Sequence, residues 1–391
     1  MKREKSSIQG EPLLYADSES NSDMLHFGNF FAPDPFIAFG AQGRRIAVVN
    51  ALEYGRAVKA SRFDEVLLQE EWIEKVRRHK SPVITPTTSN SRDNDLAVMV
   101  RLLAKAFGVR QFVVPRNFPA GLAFALTQAK VKINIGEPEF FPERLVKQDA
   151  EVAAIRKANT ISALGIRTAE KILRAAEIKR GKLFYQKRVL TSEYLQNAIA
   201  VACLNAGALA RNTIAAGGDQ ACDPHCVGTG PLYANQLIIV DVFPRVVRTG
   251  YYGDMTRTFL KGRASDAQSK LVATVRAAQL KAIGKIKSGV TGARVHAEVV
   301  NYFNREGYAT TRKDKVYQGF FHSTGHGLGL DIHEGPSVGP KSTRLRSGMV
   351  VTVEPGLYYP GLGAVRIEDV VCVTPNGAEM LSKLHYRWKL R

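Results

Sequence analysis

With 391 residues and 43.0 kDa the chain is long for one domain, and 45% hydrophobic with 23% charged residues is the balance of a folded globular protein, which excludes collagen-like and disordered classes. The formal charge of +19 is the anomaly; residues 1–144 hold 20 Lys and Arg against 17 Asp and Glu, residues 145–391 hold 35 against 19, so the excess belongs to the second part. There it is dense only over KRGKLFYQKR (179–188) and otherwise scattered along helical segments, which reads as a solvated surface in preference to a polyanion site; no nucleic-acid partner is expected. The opening MKREKSSIQGEP is basic but leads into no apolar run, no window reaches the roughly 18 apolar residues of a membrane span, and four cysteines make no disulfide framework, so a cytoplasmic protein without a membrane segment is expected.

In chain order, PLLYA (12–16), PFIAFG (35–40), RIAVVN (45–50), DEVLL (64–68), RQFVVP (110–115) and KVKINI (130–135) read as strands, several in continuous apolar form. WIEKVRRH (72–79) and NDLAVMVRLLAKAF (94–107) read as helices between them, the second capped at Asp93 or Asn94 and stopped by Gly108. Strands alternating with helices predict an α/β layer over residues 1–144, with no reactive cluster in it. After GEPEFFPERL the pattern changes, and the second domain is placed over 145–391. A long helix starts near Lys147, with Ile155, Ala158, Ser162, Ile166, Ala169 and Leu173 on one face. SEYLQNAIAVACLNAG, 264–286 and 292–306 are further helices, and strands with glycine-rich turns fill 211–260 and 317–375.

The polar residues that break apolar strands all lie in those two stretches. Asp241 interrupts QLIIVDV, and a carboxylate there costs several kcal/mol to bury unless a cation or hydrogen bonds compensate. Asp254 follows thirteen residues on, at the head of another strand-like run. FHSTGHGLGLDIHEGP (321–336) holds His322, His326 and His333; Glu354 interrupts GMVVTVEPGLYY as Asp241 does its own strand. In AVRIEDVVCV, Arg366 and Glu368 are two apart, so strand alternation sends both to one face. Several buried acids with an imidazole form a set suited to Mn, Fe, Co or Zn, large enough to bridge two ions. Cys222, His225 and Cys226 are too close in sequence, and lack a second pair, to make a zinc site. Gly325, Gly327 and Gly329 lack the following helix of a dinucleotide loop, and no nucleophile elbow is present.

Asp241, Asp254 within GDMTRT, His326 within HSTGHGLGLDIHE, Glu354 within TVEPG and Glu368 within RIED, in that order, resemble the pita-bread metallopeptidases of family M24, in their Xaa-Pro aminopeptidase and Xaa-Pro dipeptidase (prolidase) branch. The resemblance implies an α/β creatinase-type N-terminal domain followed by an α+β pita-bread catalytic domain, and hydrolysis of the bond between an N-terminal residue and a following proline. It implies two divalent ions, manganese foremost, held by Asp241, Asp254, His326, Glu354 and Glu368, with Glu354 also shuttling a proton. It further implies His225 and His333 as catalytic donors, His322 and Arg366 as substrate contacts, a proline-containing peptide as substrate, and a homodimer. At thirteen residues the Asp241 to Asp254 interval is longer than usual for the family, and the excess is expected at a hairpin tip. Two other readings stand beside this one. A catalytically inactive pita-bread module would bind protein or nucleic acid through the basic surface, and an amidinohydrolase on the same fold would not keep the metal set.

Overall fold

The structure, a computed structural model, describes residues 10–79, 91–313 and 315–390; residues 1–9, most of the basic opening segment, lie outside the described residues. The chain divides into two compact units, Met1–Pro142 and Glu143–Arg391. In the first, β1 (Glu11–Ala16), β2 (Phe36–Ala41), β3 (Arg44–Val49), β4 (Glu65–Leu68), β5 (Phe112–Val114) and β6 (Ile133–Ile135) form one mixed sheet in the order β4-β3-β2-β1-β5-β6. Its strands read as continuous apolar runs because both faces are covered. Leu13, Phe39 and Ile46 join one core, and their neighbours Leu14, Ala38 and Ala47 join another on the opposite face. The helix expected from residue 72 begins earlier, at Gln69, directly on the end of β4, and the one expected from 94 begins at Ser91. Helices at Ser22–Gly28, Ala51–Ala60 and Ala120–Gln128 have no counterpart in the sequence reading. The second of these buries only Ala57 and is set by its cap, Asn50 accepting from the Glu53 N–H, so no apolar stripe marks it.

The second unit opens with α1 (Asp149–Ala175), and the six residues expected on its inner face are all buried. With α2 (Ser192–Asn205) it covers a sheet of β7 (Ile214–Gly217), β8 (Leu237–Asp241), β9 (Thr256–Lys261) and the terminal Lys389–Leu390. Ile166, Leu173, Leu195 and Ile199 of the helices pack on Ile238, Val240 and Phe259 of that sheet. A second layer pairs α3 (Asp266–Lys285) and α4 (Gly292–Arg305) with β10 (Gly325–Gly327), β11 (Glu334–Val338), β12 (Val350–Val353), β13 (Asp369–Val373) and Ala378–Met380, in the order β11-β10-β12-β13 with the last strand at the edge. Val275, Ala282, Val295 and Val299 meet Val351, Val353 and Val371 there. A hairpin of Gly356–Tyr359 and Gly363–Arg366 completes the unit. Among the described residues no helix is long and apolar enough to cross a membrane.

Candidate active site

Strand alternation decides which groups reach the site. In β8, Ile238 and Val240 enter the core beneath α1 and α2, so Ile239 and Asp241 turn to the opposite face. In β9, Phe259 takes the helix side, while Thr256 and Thr258 meet Glu368 and Arg366. In β12, Val351 and Val353 pack under α3 and α4, which leaves Thr352 facing the site. His326 reaches the site from β10, a strand pressed between β11 and β12. A Cβ at Gly325 would run into the Thr352 carbonyl and one at Gly327 into the Gly335 carbonyl, so these glycines serve close backbone approach.

All nine residues singled out in the sequence line one cavity of about 690 Å³. Asp254, His326 and Glu368 can each present one ligand atom within 4.8 Å of the others. His326 Nδ1 faces the Gly327 carbonyl at 3.1 Å, so that nitrogen carries the proton and the Nε2 lone pair points inward. It lies 3.4 Å from Glu354 Oε1 and 3.6 Å from Asp254 Oδ2. Acceptors facing acceptors repel unless a cation or proton sits among them. Burial, reinforced by Asp241, holds the Asp254 carboxyl well above the usual range; burial, reinforced by Asp254, does the same to Glu368. Burial raises Glu354 to about 7, although the Arg366 guanidinium pulls the other way. Burial also lowers His326 and His333, favouring neutral rings.

Two carboxylate oxygens, Asp241 Oδ1 and Glu368 Oε1, are buried without a hydrogen-bond partner, while the second oxygen of each is engaged. Orphaned carboxylate oxygens beside an imidazole lone pair are what a divalent cation satisfies, and the oxygen-rich donor set with one nitrogen fits such an ion. Cys222 does not compete for it: burial and the Asp219 charge push its thiol up to about 12, and it is absent from the convergent donors.

The remaining groups separate by what their polar atoms do. Arg366 is 4% exposed and donates from Nη2 to Asp241 Oδ2 at 2.8 Å, from Nη1 to Tyr358 Oη at 3.1 Å and the Pro224 carbonyl at 3.3 Å, and from Nε to Thr256 Oγ1 at 3.4 Å. Its guanidinium lines the cavity and is hydrogen-bonded to Asp241 and its neighbours. His322 Nδ1 donates to the Ser323 carbonyl at 2.7 Å, which leaves Nε2 to accept from Tyr358 Oη at 2.9 Å. Burial lowers this ring to about 3, so it is neutral wall, with both nitrogens engaged by protein. His225 and His333 are exposed to the cavity, and the His333 ring stands edge-on to His326 at 4.3 Å between centroids. Thr256, Thr352 and Tyr358 were not foreseen. Thr256 donates to Glu368 Oε2 at 2.8 Å, and Thr352 accepts from the His326 N–H at 3.0 Å and donates to Glu354 Oε1 at 3.3 Å.

The sequence pattern of metallopeptidase family M24 matches residues 153–375. A Xaa-Pro dipeptidase of Pyrococcus horikoshii is 32% identical over 286 residues, 71% of this chain and 74% of that protein. Among solved structures, a Xaa-Pro dipeptidase from Bacillus anthracis superposes with a TM-score of 0.78 at 24% identity, covering 97% of this chain and 94% of its own. The X-Pro aminopeptidase from Thermotoga maritima does so with a TM-score of 0.77 at 21% identity, covering 97% of each chain. These likenesses give the fold, a creatinase-type α/β N-terminal domain followed by an α+β pita-bread unit.

Proposed function

Since this chain belongs to metallopeptidase family M24, we propose that it hydrolyses the peptide bond between an N-terminal residue and a following proline, using two divalent ions held by Asp241, Asp254, His326, Glu354 and Glu368. The observation that carries this is the convergence of two orphaned carboxylate oxygens and the His326 lone pair in one cavity. The relatives named as Xaa-Pro dipeptidases support the substrate. Bound there, divalent ions supply Lewis acidity, lowering the pKa of water and polarising a carbonyl. Manganese suits a donor set of four carboxylates and one imidazole.

The chain's own groups divide the remaining work. Glu354, braced by the Thr352 hydroxyl, accepts a proton from the attacking water and returns it to the leaving proline nitrogen. His225 and His333, free on the cavity wall, donate to the oxygen on which charge develops, a role worth about 3 kcal/mol per donor. Phe321, Phe243 and Ile332 offer apolar wall for the proline ring, with His322 fixed beside them. Arg366 holds Asp241 in orientation by donating directly from Nη2, while its Nη1 is fixed by the Tyr358 hydroxyl. Four free cysteines, two of them buried, support a reducing cytoplasmic setting, and a homodimer follows from the family resemblance. The test is turnover of Xaa-Pro peptides by the metal-reconstituted chain: hydrolysis that disappears on exhaustive chelation and returns with manganese is expected, and turnover surviving chelation would refute the metal reading.

A further inference from the structure

Behind the acids that line the cavity lies a second polar cluster, buried in the same unit, that no step of hydrolysis uses. Glu368 and Asp369 are neighbours that face apart: Glu368 lines the cavity, whereas Asp369 is fully buried outside it. Each oxygen of Asp369 accepts twice. Oδ1 accepts from Arg257 Nη2 at 2.9 Å and Ser382 Oγ at 2.8 Å, and Oδ2 accepts from Gln279 Nε2 and Tyr386 Oη, both at 2.9 Å. The four donors come from β9, from α3 and from the tail segment that leads into the terminal strand Lys389–Leu390.

Arg257 is 2% exposed and carries the cluster to the metal-site backbone. Its Nη1 donates to the Glu368 carbonyl at 2.7 Å and the Thr256 carbonyl at 2.9 Å, while Nε and Nη2 hold the tail at the His385 and Leu384 carbonyls, both at 3.2 Å. Glu368 N–H donates to the Thr256 carbonyl at 3.1 Å, and Glu368 Oε2 accepts from the Thr256 hydroxyl. Glu368 is thus fixed at its N–H, its carbonyl and one carboxylate oxygen, and Oε1 is the atom left over. On β12 the Gln279 amide also donates to the Val353 carbonyl at 3.2 Å, one residue before Glu354. Leu381 N–H donates to the Val370 carbonyl at 2.8 Å, and Ser382 Oγ accepts from the Val370 N–H at 3.1 Å, closing the tail on β13.

A buried ion pair is a poor device for stability, because desolvation offsets the attraction and apolar residues of similar volume serve as well. What Arg257 and Asp369 add is direction, and a ligand constellation has to be held to within about 0.5 Å to bind its ion well. Resting on the two-ion reading of the site, we propose that Asp369, Arg257 and Tyr386 are positioning residues for the metal centre. They lock the tail, residues 381–390, against the back of the strand that presents Glu368, and this contact sets the affinity for the ions. None of the three lines the cavity.

The experiment measures manganese binding by calorimetry and thermal unfolding of the metal-free full chain, for the unaltered protein, Y386F, D369N and I199V. The Tyr386 ring lies 4.5 Å from the Arg257 guanidinium carbon, so Y386F keeps the ring packing and removes only the hydroxyl that binds Asp369. I199V is the control for stability alone: Ile199 packs between α2 and the sheet, joins none of these bonds, and its shortening lowers Tm. Y386F and D369N are expected to weaken manganese binding by about 10–100-fold, as loss of a group that orients a metal ligand does, while I199V leaves affinity in place. If D369N does not fold, Y386F carries the comparison. Unchanged affinity in Y386F, whatever its Tm, overturns the positioning role and leaves the peptidase reading intact. Affinity weakened as much in I199V also overturns it, because affinity would then follow stability. An unaltered chain that binds no manganese overturns both this role and the metal reading beneath it.

Discussion

Arg366 and Glu354 show how differently two charged residues in one cavity respond to loss. Arg366 joins Asp241, Tyr358 and Thr256 in a buried network, so Arg366→Met strands the Asp241 carboxylate and the Tyr358 hydroxyl without their donor. Breaking such a buried pair costs about 3–5 kcal/mol, and loss of the group that orients a ligand weakens metal binding about 10–100-fold. Urea denaturation and a manganese titration read the two effects separately, and an unchanged metal affinity would remove Arg366 from the orienting role. Glu354→Gln instead keeps shape and removes a charge from a crowded anionic cluster, so the fold and Tm should survive while kcat for a Xaa-Pro peptide falls at least about 10²-fold. The acids were legible because a carboxylate inside QLIIVD or VVTVEP contradicts its strand. Thr256, Thr352 and Tyr358 were not, because threonine and tyrosine are ordinary strand formers and their hydroxyls contradict nothing. The commitment of Arg366 to Asp241 was hidden for another reason: alternation predicts which face a side chain takes, not which partner on that face it finds.

Between Asp241 and Asp254 the backbone continues as a ladder well past the end of β8. Val242 N–H donates to Met255, Gly253 to Pro244 and Val246 to Tyr251, before Gly250 closes the turn back on Val246. The tip of this interval is where Val247, Arg248 and Thr249 are exposed, beyond the laddered part that carries both carboxylates, and it is the place expected for the extra length. Replacing Val247 to Gly250 by Asn-Gly, the pair that two-residue hairpin turns prefer, should leave manganese affinity and kcat within about twofold. A larger loss would mean that the tip shapes the cavity. Gly325 is the contrasting case. Gly325→Ala forces β10 away from the Thr352 carbonyl and should cost about 1–3 kcal/mol or more, with Thr352, Glu354 and His326 displaced together. Long elements such as α1 were legible from their 3.6-residue stripe. Short ones such as Ala51–Ala60 were not, since a helix that buries a single alanine leaves no period to read.

At the scale of the whole molecule the charge of +19 and the anionic cavity are separate features: the cations are dispersed over the chain, while four carboxylates are gathered at one buried point. That gathering makes the stability of the metal-free protein depend on pH. Glu354 titrates near 4.5 in an unfolded chain and at about 7 in the fold, so the folded state binds the extra proton between those values. Its contribution to stability is complete below pH 4.5 and is lost as pH rises through 7. Asp254 and Glu368, also raised by burial, act in the same direction. His322, lowered from 6.5 to about 3, acts oppositely, contributing stability above 6.5 that falls away toward 3, so the carboxylates govern the window above 6.5. Divalent ions bind the deprotonated carboxylates, so they stabilise most where the metal-free fold is weakest. Calorimetry of the metal-free and manganese-loaded protein at pH 5, 6.5 and 8 should show a gain in Tm that grows with pH, confined to the transition of the second unit. A gain of equal size at all three values would mean that the ions bind outside this cluster.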